Sequence, residues 1–136
     1  MIIHAPRIYI MGPMTGMPDM NREAFSTAEA MALFRGMTPI NPHSMETPAE
    51  EGETQEEMYR RVMPGDIYEL STCDFVLALP GWERSRGCAL EAHAADLMGI
   101  PLVSIDDDST EYMGPLDLYI EERLNWIEDA LESMDP

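Results

Sequence analysis

Short β-type apolar runs alternate along the chain with longer stretches whose apolar residues recur every three or four positions, the pattern of strands interleaved with helices. Arg7-Ile8-Tyr9-Ile10-Met11 is the first run, ended by Gly12-Pro13 and followed by the loop Met14-Thr15-Gly16-Met17-Pro18-Asp19. A helix is expected from about Asn21 to Arg35, with Asn21 as N-cap and Gly36 at its end. Its apolar face would carry Ala24, Ala28, Met31 and Phe34. Met37 to Asn41 reads as a second strand, closed by Pro42, and completes a βαβ unit whose two strands are parallel neighbours. Residues 44 to 57, rich in Glu, Thr and Pro, read as an acidic loop leading into a helix near Gln55. Pro64-Gly65 is expected to divide that region, one helix ending near Val62 and another running from Pro64 to about Ser71, because proline is well tolerated at a first helical position. This puts Asp66 in a first turn.

The stretch Asp74 to Glu91 organises the rest. Phe75-Val76-Leu77-Ala78-Leu79 has the length and punctuation of a buried strand and stops at Pro80-Gly81. A polar loop with Trp82, Arg84, Ser85, Arg86 and Gly87 leads into an Ala/Leu-rich helix over about Cys88 to Met98, whose early turn carries Glu91. Gly99 caps that helix, Ile100 to Ile105 is a fourth strand, and an amphipathic helix is expected over about 115–134. The class is α/β: one domain spanning 1–136, with a parallel sheet of four to five strands flanked by helices and a core over about 7–105. In such sheets ligands bind beyond the carboxyl ends of the strands, where strand order reverses and helix N-termini point N–H groups into the crevice. Glu91 lies there.

Composition narrows the partners. The net charge is −18 and every basic residue is Arg, a surface that repels DNA and RNA, though a few directed donors in a loop can still hold one small anion. A chain of 136 residues is a single-domain length that buries roughly 65–70% of its unfolded surface. Cys73 and Cys88 form neither a zinc motif nor a disulfide framework, and there is no signal-like amino terminus or membrane-length apolar run. A cytoplasmic protein without cofactor or membrane partner is the expectation. His4, His43 and His93 are scattered, so no metal or catalytic histidine site is expected, and Asp106-Asp107-Asp108 reads as a solvated loop. The thirteen Met residues mostly read as flexible core filling.

Tyr9-Ile10-Met11-Gly12-Pro13, then Asp66 shortly before the Cys73-Asp74 strand start, then Ser85-x-Gly87-x-x-x-Glu91 together resemble the nucleoside 2-deoxyribosyltransferase superfamily. Within it the chain looks most like small phage and bacterial proteins with a Leu-Pro-Gly-Trp...Ser-Arg-Gly signature. The resemblance covers about residues 7 to 105. It implies a flavodoxin-like sheet and cleavage of the N-glycosidic bond of a 2'-deoxynucleoside or its 5'-monophosphate, with no cofactor. It further implies that Glu91 attacks the anomeric carbon, that Asp66 orients or protonates the base side, and that Tyr9 positions Glu91 and the sugar. Ser85 and Gly87, assisted by Gly12, Pro13, Met14, Thr15 and Gly16, would bind the 5'-phosphate. The transferase branch typically carries an Asp near Ser85 or Arg86, and its absence here favours the phosphate-recognising branch over base exchange. Family members generally complete their sites across a dimer, which with the seam from Leu116 to Met134 leads to a homodimer as the expected assembly.

The chemistry is consistent with those residue types. Glycosidic cleavage passes through an oxocarbenium-like state that needs a carboxylate on one face of the sugar and a proton or hydrogen bond for the leaving base. Near a helix start the macrodipole favours an ionised Glu91, and Trp82 is placed to stack on a base or to shield the site. Each residue also has a purely structural role open to it. Glu91 and Asp66 can be ordinary helix-start acids, Ser85 a helix cap, Tyr9 a core aromatic, and Arg84 and Arg86 partners for nearby acids. A catalytically silent nucleotide-binding module would use the same pocket.

Overall fold

Alternation along Arg7–Met11 (β1) sends Ile8 and Ile10 to one face and Tyr9 and Met11 to the other, and all four are buried. A strand buried on both faces belongs in the middle of a covered parallel sheet. In the computed structural model, which describes residues 5–45 and 49–104, β1 pairs in parallel with both Thr38–Ile40 (β2) and Phe75–Ala78 (β3). Leu102–Ser104 (β4) joins β3, also in parallel, giving the order β2-β1-β3-β4. Pro39 is tolerated in β2 because that strand lies at the edge of the described sheet. The Asp74 carboxylate accepts from the Arg7 N–H at 2.7 Å, while the Asp74 N–H donates to the Arg7 carbonyl at 2.8 Å, so β1 and β3 are locked in register at their first residues.

The expected α/β, flavodoxin-like class is the observed one. Helices Arg22–Phe34 (α1), Gln55–Ser71 (α2) and Arg86–Leu97 (α3) connect the strands in turn. Tyr9, Met11, Val76 and Ala78 pack with Leu70 of α2 and with Cys88 and Ala95 of α3 in one buried cluster. Because β1–α1–β2 and β3–α3–β4 run in opposite directions along the sheet, the right-handed crossover rule puts α1 on the other face. Gly36 and Gly99 follow α1 and α3 at φ +77° and +69°, a left-handed conformation that glycine adopts without steric cost.

Two local expectations are corrected. The buried face of α1 is Phe25, Ala28 and Ala32, whereas Phe34 is 87% exposed. Of the two phenylalanines in α1 the helix therefore buries Phe25, whose ring removes more apolar surface from water than Ala24 does. Asn21 does precede α1, but its side chain makes no capping bond. The second correction is that Pro64 does not divide the region: α2 is one helix, capped by Thr54, whose hydroxyl accepts from the Glu57 N–H at 3.1 Å and donates to the Glu57 carboxylate at 3.0 Å. Met63 and Leu70, two turns apart on either side of the proline, are both buried, so packing along one face carries the helix through the missing hydrogen bond. Asp66 thus sits inside a helix rather than in a first turn.

Residues 105–136, with the Asp106-Asp107-Asp108 loop and the helix expected over 115–134, lie outside the described residues. No helix among the described residues is long and apolar enough to cross a membrane.

An interior proline costs about 3 kcal/mol relative to alanine, less the unfolded-state stiffening it provides. Pro64→Ala should therefore raise stability by about 1–3 kcal/mol, read as a higher midpoint in denaturant with unchanged slope. A lower midpoint would mean that the ring itself is needed for packing.

Candidate active site

A cavity of about 710 Å³ opens where strand order reverses, at the carboxyl ends of β1 and β3. The loop after β1 contributes Gly12, Met14 and Thr15, and the start of α3 contributes Ser85, Gly87, Cys88 and Glu91. The facing wall is α2, with Met58, Tyr59, Val62, Met63 and Asp66, while Met20, Arg22, Pro42 and Met45 close the remaining side. A methyl group on Gly12 would come within 3.0 Å of the Leu79 side chain, so glycine there lets β1 leave the sheet close to β3.

Glu91 is the only buried carboxylate among the described residues, with 8% of its surface exposed. It stands in the second turn of α3, beyond the reach of the dipole at the helix start, and burial decides its ionisation. Burial pushes its pKa up to about 8, the Tyr9 hydroxyl pulls it back, and the charge of Asp66 adds to the rise. The expectation of a carboxylate kept ionised by the helix start is thereby reversed. Tyr9 is fully buried, and burial followed by the charges of Glu91 and Asp66 holds its phenol protonated far above the ordinary range. The hydroxyl and the carboxyl face each other electrostatically, yet neither Tyr9 Oη nor Glu91 Oε2 completes a hydrogen bond of good geometry among the described residues. Both are orphaned buried polar atoms next to a cavity, an arrangement that costs stability unless a bound molecule satisfies it. Cys88, in the same wall, has its thiol pushed up to about 12 by burial and stays protonated.

Ser85 is the N-cap of α3, its hydroxyl accepting from the Cys88 N–H at 3.3 Å. Tyr9, Pro13, Gly16 and Trp82 do not line the cavity, Tyr9 being fully buried. Pro13 is buried against Gly81, and Trp82 lies half-buried over the core with its indole donating to Ser104 Oγ at 3.1 Å. Arg7, Arg22 and Arg61 form ion pairs, whereas Arg84 and Arg86 form none among the described residues, contrary to expectation. Arg61 grips Glu53 through two bonds of 2.7 and 2.9 Å, which holds that carboxyl below the usual carboxylate range and fastens the loop before α2.

The sequence reading missed the α2 wall and a strained turn on the rim. Asp19, Met20 and Asn21 are consecutive left-handed residues at φ 48°, 54° and 63°, a conformation that side chains with a Cβ rarely adopt. His43 Nε2 meets the Met20 carbonyl at 3.0 Å, its ring packs edge-on against Phe25 at 4.7 Å, and its N–H donates to Asn41 Oδ1. His43 is thus a structural tie. Among the described residues no three His, Cys, Asp or Glu side chains converge to hold a metal.

Because the folded pKa of Glu91 lies above its unfolded value, its contribution to stability is full below the ordinary carboxylate range and is lost as pH rises through about 8. The limiting slope is about 1.4 kcal/mol per pH unit. Glu91→Gln stays neutral and should lose that slope, so its stability advantage over wild type should grow between about pH 5 and pH 8 in parallel denaturation curves. A pH-independent difference would show that Glu91 is ionised in the fold.

Comparison with solved structures returns the same fold in three proteins. A 2-deoxyribosyltransferase from Bacillus psychrosaccharolyticus is 20% identical with TM-score 0.57, over 74% of this chain and 72% of that one. A conserved protein from Enterococcus faecalis V583 is 22% identical with TM-score 0.59, over 77% and 65%. The CMP N-glycosidase BcmB of Clostridium botulinum is 16% identical with TM-score 0.51, over 79% and 75%. Comparison with curated proteins gives no match. Residues 6–104, which hold every strand, helix and cavity residue described above, match one family throughout, and the chain belongs to it: the family described as Domain of unknown function (DUF4406).

Proposed function

We propose that the protein cleaves the N-glycosidic bond of a 2'-deoxynucleoside 5'-monophosphate. The observation that carries this reading is the orphaned, buried Glu91 carboxyl beside the Tyr9 hydroxyl, in a cavity that also holds Asp66 and the start of α3. In its ionised form Glu91 attacks the anomeric carbon as the bond to the base breaks, and the bond electrons leave with the base, which takes a proton from the Asp66 side. Water then attacks the anomeric carbon and breaks the glycosyl ester, its proton restoring the one given up on the Asp66 side, which returns the Glu91 carboxylate and releases deoxyribose 5-phosphate. Tyr9 donates toward Glu91 and steadies the carboxylate in its apolar surroundings. The phosphate end belongs at the entrance of α3, where the Arg86 and Gly87 N–H groups lack intrahelical acceptors and Ser85 adds a hydroxyl. Two of the similar structures bear names of glycosyl-transferring or glycosyl-cleaving enzymes, one of them for a nucleoside monophosphate, which supports the reaction class.

The direct test is mass-spectrometric detection of free base after incubation with deoxy- and ribonucleoside monophosphates and with nucleosides. Base release by wild type and a loss of several powers of ten in Glu91→Gln, with ligand binding kept, is the expected result. Exchange of one base for another without hydrolysis would make the protein a deoxyribosyltransferase, and tight binding of unchanged nucleotide would make it a binding module.

Ser85→Ala separates recognition of phosphate from capping. It should raise the KM for monophosphate relative to that for nucleoside by roughly 10-fold. Equal changes for both substrates, with a lowered melting temperature, would leave Ser85 as a cap alone.

A further inference from the structure

Gly87 has no conformational need to be glycine: it lies in the first turn of α3 with helical backbone. Nor does packing demand it. A methyl group there would lie 3.4 Å from Tyr59 Cε1, 3.9 Å from Tyr59 Oη and 3.9 Å from Ser85 Oγ, ordinary contact distances. The missing side chain instead leaves open floor between two hydroxyls, one from α2 and one from α3.

Both hydroxyls keep a proton to give. Ser85 Oγ already accepts from the Cys88 N–H, and Tyr59 Oη is approached at 3.5 Å by the Gln55 amide as donor, so each O–H is directed elsewhere. The Ala89 N–H goes to the Ser85 carbonyl and the Cys88 N–H to the Ser85 side chain, which leaves those of Arg86 and Gly87, at the same end of α3, without acceptors in the helix. Further along α3, in the wall of the same cavity, Glu91 Oε2 is buried and without a partner among the described residues, which independently marks this wall as one that a ligand completes.

We propose that Tyr59 determines specificity for the phosphorylated substrate: its hydroxyl and that of Ser85 close from opposite sides on a phosphoryl group seated over Gly87. The inference rests on the monophosphate reading above and adds to it a donor from α2, so the phosphate is held by two helices rather than by one loop. Hydroxyl and N–H donors aimed at a dianion form charge-assisted bonds, which lets local geometry prevail over a net charge of −18.

Tyr59→Phe keeps the ring against Gly87 and removes only the donor. The ratio of KM for monophosphate to KM for nucleoside should rise roughly 10-fold, with the loss falling on KM rather than kcat. Inorganic phosphate, titrated into wild type and Tyr59→Phe and followed calorimetrically, should bind the variant more weakly by a similar factor. Gly87→Ala should fold normally and lose phosphate binding, because its methyl fits the protein but fills the floor. A Tyr59→Phe ratio within twofold of wild type, with phosphate affinity unchanged, would overturn the proposal and leave Tyr59 as packing. If wild type cleaves no nucleotide the functional reading fails separately, and the phosphate titration alone then decides: equal affinities refute the Tyr59 assignment and weaker binding by the variant upholds it.

Discussion

A carboxyl group held out of water where strand order reverses is the constraint around which the site is fitted. Glu91 is carried there by α3, which starts close behind β3, and β3 lies beside β1 in a register fastened where Asp74, just before β3, bonds to the Arg7 backbone through its carboxylate and its N–H. Tyr9 reaches the same point from β1 because alternation turns it toward α3 while Ile8 and Ile10 face the other way. Register therefore decides which side chain meets Glu91: a slip of one residue in β1 would replace the phenol with an isoleucine. Burial also opposes the ionised form that nucleophilic attack requires. Under the proposed reaction that tension would be met by the energy of binding substrate, spent on a poorly solvated charge.

Much of this was legible in the sequence where the local signal and the tertiary outcome agree. The strands are apolar runs bounded by Gly and Pro, and the glycines after α1 and α3 mark real helix ends, so element order and parallel pairing followed directly. Glu91, Asp66, Ser85 and Gly87 converge on one cavity because their spacing was read against a strand–loop–helix frame that the fold adopts. Two failures share one cause, which is that packing outweighs propensity over a few residues. Pro64 is a strong local stop signal, and taking it as one cut the stripe Met58, Tyr59, Val62, Met63 and Asp66 in half and hid a whole wall of the cavity. Read as a single helix, the same residues recur every three or four positions along one face. In α1, Phe34 fits the periodic pattern, yet the helix turns to bury Phe25.

The ionisation of Glu91 could not be read from the chain at all. Its place near a helix start points to an anion, and only its depth beneath the surface, set by Tyr9 and by α2, reverses the sign. Trp82 illustrates the same limit: an aromatic in a loop next to a candidate site invites stacking, but its indole is already committed to the end of β4.

The left-handed turn Asp19-Met20-Asn21 sets one side of the cavity apart from the other. Left-handed residues with a Cβ cost roughly 1–2 kcal/mol each, and that strain is offset in part by contacts that include His43 to the Met20 carbonyl and the Asp19–Arg22 pair at 3.5 Å. Energy stored in a rim lowers the cost of opening it, whereas β1 and β3 release nothing when they separate. The cavity thus has one side, where Met20 and Arg22 stand, built next to strained backbone, and another, at Glu91, built on a regular helix.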